Sequence, residues 1–145
     1  MKRKRRRSKY KDRSRAVEVA DEAMSDYIRE RDNFICCTCG KHGNNKTIDN
    51  GHFIGRKYWI WRYDERNGNA QCKRPCNKDL SGNWPEYYDF MVKKYGQSVV
   101  DELINGKHKM ALYTIPDLLE IEQYYKDKLK ELRERCGNDT QGISN

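Results

Sequence analysis

The chain has 145 residues, 36% hydrophobic and 36% charged, which supports one compact domain with tails and leaves so thin an apolar supply that a staple such as a metal would help. No run of about 18 apolar residues is present and no apolar stretch follows the basic N-terminus, which excludes a helical membrane span and argues against a secretory signal. The net charge of +8 is concentrated: residues 1–15 hold ten Lys/Arg against one acid, Asp12, and the remainder is close to neutral. A dense basic arm on a neutral body points to a polyanion, with nucleic acid ahead of acidic lipid or protein.

In chain order, residues 1–14 read as a disordered arm, because its like charges repel and it has little to bury. Residues 15–32 read as a helix capped by Ser14 and ending near Arg31, with Val17, Ala20, Met24, Tyr27 and Ile28 at helical spacing. Residues 33–84 lose that periodicity and hold five of the six cysteines. Short strands are expected at 47–49, 52–54 and 59–63. Residues 85–136 return to helix. Pro85 suits a first turn, Gly96 a stop, Gly106 a second stop, and Thr114 the cap of a last helix whose stripe includes Ile115, Leu118, Leu119, Tyr125, Leu129 and Leu132. Residues 137–145 read as a polar, frayed tail. The expected class is α+β, a small metal-stapled core flanked by N- and C-terminal helices.

The absence of a secretory signal favours a reducing compartment, where clustered cysteines read as metal ligands and not as disulfides. Cys36 and Cys39 form a C-x2-C pair, and Cys72 and Cys76 a C-x3-C pair with Pro75 inside it. Two such pairs some thirty residues apart are a strong signal for a tetrahedral zinc site. Cys37 competes with Cys36 for the first place, and the standard two-residue loop favours Cys36. Four thiolates fill zinc's coordination sphere and leave no place for water, so this zinc would be structural.

Between the pairs stand Asp49-Asn50-Gly51-His52-Phe53 and Asp64-Glu65-Arg66-Asn67, and Asn77 follows the last cysteine. These residue types suit phosphodiester hydrolysis. His52 can serve as base, Asp49 and Asn77 offer hard oxygens to Mg²⁺ or Mn²⁺, and Asn67 can accept a hydrogen bond from the His52 ring and fix its tautomer. Other readings stand beside these: Asn67 as a turn residue, and Asn77 as a helix N-cap. Asp49 lies three positions before His52, so on a regular strand the two face opposite ways unless a bulge at Gly51 intervenes. Arg56, Lys57 and Arg62 alternate with Tyr58, Trp59 and Trp61, a mixture that suits stacking on unpaired bases or ordinary hairpin packing. Arg56, Lys57 and Lys73, with Lys2, Arg3, Lys4, Arg5, Arg6 and Arg7 of the arm, are the expected phosphate contacts.

The order C-x2-C, Gly-His, Asn-x4-Cys, Cys-Asn resembles an HNH nuclease of the ββα-metal type with a zinc knuckle. More closely, Asp49 to Phe53, Arg62 to Asn67, Gln71-Cys72-Lys73 and Cys76 to Asn83 resemble the NinG/Rap recombination proteins of lambdoid phages, and the likeness covers roughly residues 34–133. The arrangement is also similar to the phage recombination endonuclease VII. The resemblance implies a metal-dependent endonuclease of phage recombination that acts on branched DNA such as D-loops and Holliday junctions in the host cytoplasm. It gives His52 the general-base place, Asn67 the middle Asn and Asn77 the metal-side place. The chain departs from the pattern twice. Gly51 stands where many HNH enzymes carry an acidic or His ligand, and Pro75 lengthens the second cysteine pair in a way that could displace Asn77. Branch selectivity further suggests a homodimer, for which the last helix offers an interface, and phage recombination proteins as partners. A zinc-dependent DNA-binding accessory protein without catalysis, and an HNH nuclease without branch preference, are the competing functions.

Overall fold

The computed structural model describes residues 12–139; the expected phosphate contacts Lys2 to Arg7 and the last six residues lie outside them. Helix α1 spans Arg13–Arg31. Its N-cap is Asp12 and not Ser14: the Asp12 carboxylate accepts the Ser14 backbone N–H at 2.9 Å. Strand β1 (Ile48–His52) pairs antiparallel with β2 (Gly68–Cys72), and these are the whole sheet among the described residues. A short helical turn, Lys73–Asn77, follows β2 directly. Helices α2 (Trp84–Tyr95) and α3 (Gln97–Gly106) meet at Gly96, and α4 runs from Ile115 to Asp139. The architecture is α+β: helices α1 to α4 around a small two-stranded sheet and a cysteine cluster.

Two expected strands are absent. Residues 59–61 form a 3-10 turn, because Trp61 turns inward and donates its indole N–H to the Leu103 carbonyl at 2.8 Å. The segment 52–54 is strand only at His52. The partner of β1 is Gly68-Asn69-Ala70-Gln71-Cys72, a sequence of low β propensity that is buried throughout. Its outer edge is closed without a third strand: the Ala70 N–H donates to the Asp32 carboxylate at 2.8 Å, and its carbonyl accepts from the Cys37 N–H at 2.8 Å. Both backbone groups of Ala70 on that edge thereby find partners, as burial demands.

Among the described residues the core falls into three clusters. The first joins α1 to α4, with Ala16, Ala20, Met24, Tyr27 and Ile28 packed on Leu118 and Tyr125. The last helix therefore turns its apolar stripe toward α1, with Leu118 and Tyr125 buried and Ile115, Leu129 and Leu132 half-buried. Its start carries a reciprocal cap, the Thr114 N–H and hydroxyl donating to Asp117 at 2.7 Å while the Thr114 hydroxyl accepts the Asp117 N–H at 3.3 Å. A second cluster packs α2 and α3 on Phe53 and Ile54. The third holds little besides Ile48, Ala70, Phe34 and the buried cysteines.

Candidate active site and metal centre

The Sγ atoms of Cys36, Cys39, Cys72 and Cys76 all lie within 4.8 Å of one another. Cys39 and Cys72 are 3.9 Å apart, close to the ~3.8 Å that a tetrahedron of zinc–sulfur bonds of about 2.3 Å requires. The local backbone builds the first pair as a knuckle. The Gly40 N–H returns to the Cys36 carbonyl at 2.8 Å, the Cys36 N–H goes to Lys41, and Gly40 takes a φ of 75°, which a side chain would resist. The cluster also settles which cysteine of the Cys36-Cys37 pair faces the centre. Burial pushes the Cys36 thiol up, but the Thr38 hydroxyl at 3.3 Å and nearby backbone groups outweigh it and hold the thiol down to about 6. Cys37 points into the α2–α3 cluster, where burial pushes its thiol far up. The four sulfurs can hold a metal ion, and zinc fits their geometry and chemistry.

A cleft of about 430 Å³ lies beside this centre, lined by Asp49, Asn50, His52, Arg56, Asn77 and Ser81 among others. Three of the four expected catalytic residues thus share one cavity. Asn77 donates its amide N–H to the Asp49 carboxylate at 3.2 Å. No bulge interrupts β1 at Gly51: the register runs unbroken from Ile48 opposite Cys72 to His52 opposite Gly68. Asp49, Asn50 and His52, from both faces of the pleat, nevertheless line the cleft, as side chains do when a cavity follows the open edge of a strand. Pro75 does not displace Asn77 either, because the turn Lys73–Asn77 absorbs the longer spacing. Nor does Asn77 cap a helix.

His52 Nε2 lies 2.9 Å from the Arg62 carbonyl oxygen. A carbonyl only accepts, so Nε2 carries the proton and Nδ1 keeps its lone pair. Burial pulls the ring's pKa down to about 4, against the opposing pull of the Arg62 carbonyl. The imidazole is therefore neutral at neutral pH. Arg62 is itself fixed, its guanidinium gripping Asp21 of α1 in two bonds of 3.0 and 2.6 Å and lying over the Trp59 ring at 4.4 Å.

Asn67 does not touch the His52 ring, which corrects the expected tautomer role. It is fully buried, accepts the Ile54 N–H at 2.7 Å, and donates to the carbonyls of Ile54 and Trp61 at 2.9 and 3.1 Å. Asn67 staples the loop that presents the Arg62 carbonyl, so it acts on His52 through that loop. A main-chain acceptor has no side-chain signature, which is why the sequence points to the amide instead. Gly51 also has a reason. A Cβ there would come within 2.4 Å of the Gln71 side-chain oxygen and 2.8 Å of its Cβ, while Gln71 donates to the Gly82 carbonyl at 2.7 Å. The space a ligand before the base would need is taken by the side chain that ties β2 to the cleft wall.

The basic residues divide. Arg56 is exposed on the cleft, its guanidinium 3.8 Å from Asp21. Lys57 is exposed and lies over Tyr58. Lys73 stands 3.7 Å from Asp49. Trp59 and Trp61, expected in part to face nucleic acid, are packed inward: Trp59 lies against Tyr113, Arg13 and Arg62, and Trp61 against α3. Sequence reasoning does not find Asp21 or Ser25, which α1 brings to the site from far away in the chain, or Trp84, which lines the adjoining groove from the start of α2.

The family model describing the bacteriophage lambda NinG protein matches residues 1–135. The chain belongs to the NinG family. It is 35% identical over 125 residues to protein ninG of Escherichia phage lambda, covering 85% of this chain and 60% of that protein. Protein ninG of Escherichia phage 933W is 35% identical over 85% of the chain and 61% of its own length, and that of Salmonella phage P22 is 35% identical over 86% and 61%. The chain thus spans about three-fifths of the length of these NinG relatives. No solved structure matches it. The four cysteines and the whole cleft fall within the NinG match. Among the described residues no helix is long and apolar enough to cross a membrane.

Proposed function

We propose that this NinG-family chain is a divalent-cation-dependent endonuclease of the HNH, ββα-metal type that cuts branched DNA during phage recombination. The observation that carries the reading is His52: a neutral imidazole with its proton committed to the Arg62 carbonyl and its Nδ1 lone pair left to act, in one cleft with the Asp49–Asn77 pair. On this reading β1, β2 and the turn Lys73–Asn77 are a compact ββα core, and a zinc bound by the four cysteines holds it.

The donors suit a second, hard cation. Asp49 supplies a carboxylate, and Asn77, whose side-chain amide N–H faces Asp49, can offer its side-chain oxygen to a ligand. When bound there, Mg²⁺ or Mn²⁺ would supply charge stabilisation for the attacked phosphate and the leaving 3′-oxygen. His52 Nδ1 takes the proton of the attacking water. Arg62 keeps the ring from rotating, and Arg56 and Lys73 give the cleft positive charge for a phosphate backbone. The basic arm adds contacts that do not depend on sequence. A host-cytoplasmic location, other phage recombination proteins as partners and a homodimer complete the reading; because α4 packs its stripe on α1, the dimer would use another face.

The test is cleavage of a labelled four-way junction with Mg²⁺ by the zinc-loaded chain. His52→Ala should abolish cutting while leaving zinc content and junction binding intact. Undiminished cutting by the variant would remove His52 from the mechanism. Tight binding with no cut strand under any divalent cation would favour an accessory DNA-binding role, and equal cutting of linear duplex a nuclease without branch preference.

A further inference from the structure

We infer that Trp84 is a stacking platform for an unpaired nucleobase next to the phosphate held at His52, an inference that rests on the nucleic-acid reading of the cleft. The three tryptophans are used differently. Trp59 and Trp61 are half-buried against neighbouring elements, whereas 47% of the Trp84 surface is exposed at the start of α2. The ring is nonetheless held: Phe53 stacks on it at 5.5 Å and 13° between planes, and Tyr88 leans on it at 5.3 Å. A preset, half-open aromatic face needs little further ordering when a second flat ring lies on it.

Its surroundings specify the occupant. Trp84 lines a groove of about 600 Å³ that shares His52, Gly55, Ser81 and Gly82 with the candidate cleft, so the two cavities adjoin. Among the described residues no Asp or Glu lines this groove. Lys57 and Lys107 do, with their ammonium groups over the Tyr58 ring at 5.0 and 5.5 Å, and neither is within ion-pair distance of a carboxylate among the described residues. An aromatic face flanked by two cations suits a nucleotide, with the base on the ring and its phosphates toward the lysines. Bases within a duplex have both faces covered by neighbours. A base that reaches Trp84 must be unstacked, as at a branch point or on a single strand. The groove thereby supplies a reason for the chain to prefer branched over continuous duplex DNA.

The experiment measures binding of the full, zinc-loaded chain, without Mg²⁺, to a fluorescent oligothymidylate and to a paired duplex of equal length. Trp84→Ala should weaken oligothymidylate binding about fivefold to a hundredfold, the range typical of one base stack. Trp84→Leu, which keeps apolar bulk but has no flat ring, should weaken it as much, and Trp84→Tyr should retain most of the affinity. Duplex binding, governed by the arm and other phosphate contacts, should change less than about twofold in all three. Zinc content and melting temperature check that each variant folds. Equal losses on both DNAs, or wild-type affinity in Trp84→Leu, would overturn the proposal and leave the exposed ring to a protein partner. No strand need be cut in this assay, so it fails or succeeds independently of His52→Ala.

Discussion

His52 shows how a single ring acquires a role from its surroundings. An exposed imidazole is half protonated near pH 6.5; burial lowers that to about 4, although the Arg62 carbonyl pulls the other way. If His52 is the base, the acid limb of the cleavage rate should fall near pH 4, and this group should leave the rate flat from about pH 5.5 to 7.5. A pH–rate profile, with an NMR titration of the His52 ring, measures both. The same shift affects folding. The unfolded ring takes up its proton first as pH falls, so this contribution to stability is complete above about pH 6.5, declines below it, and is lost by about pH 4. Chemical denaturation of wild type and His52→Ala at pH 7 and pH 5 should show the gap between them changing in that direction. His52 could be picked out as the candidate base from Gly51-His52 inside the cysteine frame. Its acceptor could not, because Arg62 contributes a backbone carbonyl whose position depends on Asn67 several residues away.

At the scale of elements, what was legible followed from local chemistry. The end of α1 at Arg31, the break at Gly96, which takes a φ of 88°, and the Thr114 start of α4 all rest on residues at the turn they control. The strands failed that test. Trp59-Ile60-Trp61-Arg62-Tyr63 has the composition of a strand, but its tryptophans find partners on α3 and on Tyr113, and the backbone turns to let them. Gly68 to Cys72 has no such composition and becomes strand because Asp32 and Cys37 close its far edge. The knuckle is the element with the least core. Ile48 and Phe34 offer about 1.5–3 kcal/mol each if fully buried, whereas a structural zinc contributes on the order of 10 kcal/mol. Chelation should therefore speed amide exchange first at residues 35–42 and 68–77, while the α1–α4 amides stay protected and most of the helical circular dichroism remains. Hydrogen exchange followed by mass spectrometry distinguishes this from uniform melting.

The whole molecule separates its charge from its chemistry. The arm holds the positive excess and the body is close to neutral, while the cleft and the Trp84 groove lie in the folded part. Removing residues 1–11 should lower duplex affinity and flatten its dependence on salt, by up to about 0.9 in logarithmic slope for each phosphate the arm no longer neutralises. Cutting at saturating junction should change little, and a salt series of binding isotherms beside single-turnover cleavage reads the two effects separately. The four cysteines, by contrast, do not mark out a self-sufficient unit. Arg62 faces two ways: its carbonyl holds the His52 ring, and its guanidinium is clamped to Asp21 in the middle of α1, a helix itself braced by α4. A miniature version trimmed to residues 36–77 would keep Asp49, His52 and Asn77 and still lose the anchor of the His52 ring. The smallest portable form of this site therefore begins before α1 and includes α4, so anyone grafting it onto another scaffold must carry two distant helices along with the cysteine-bearing loop.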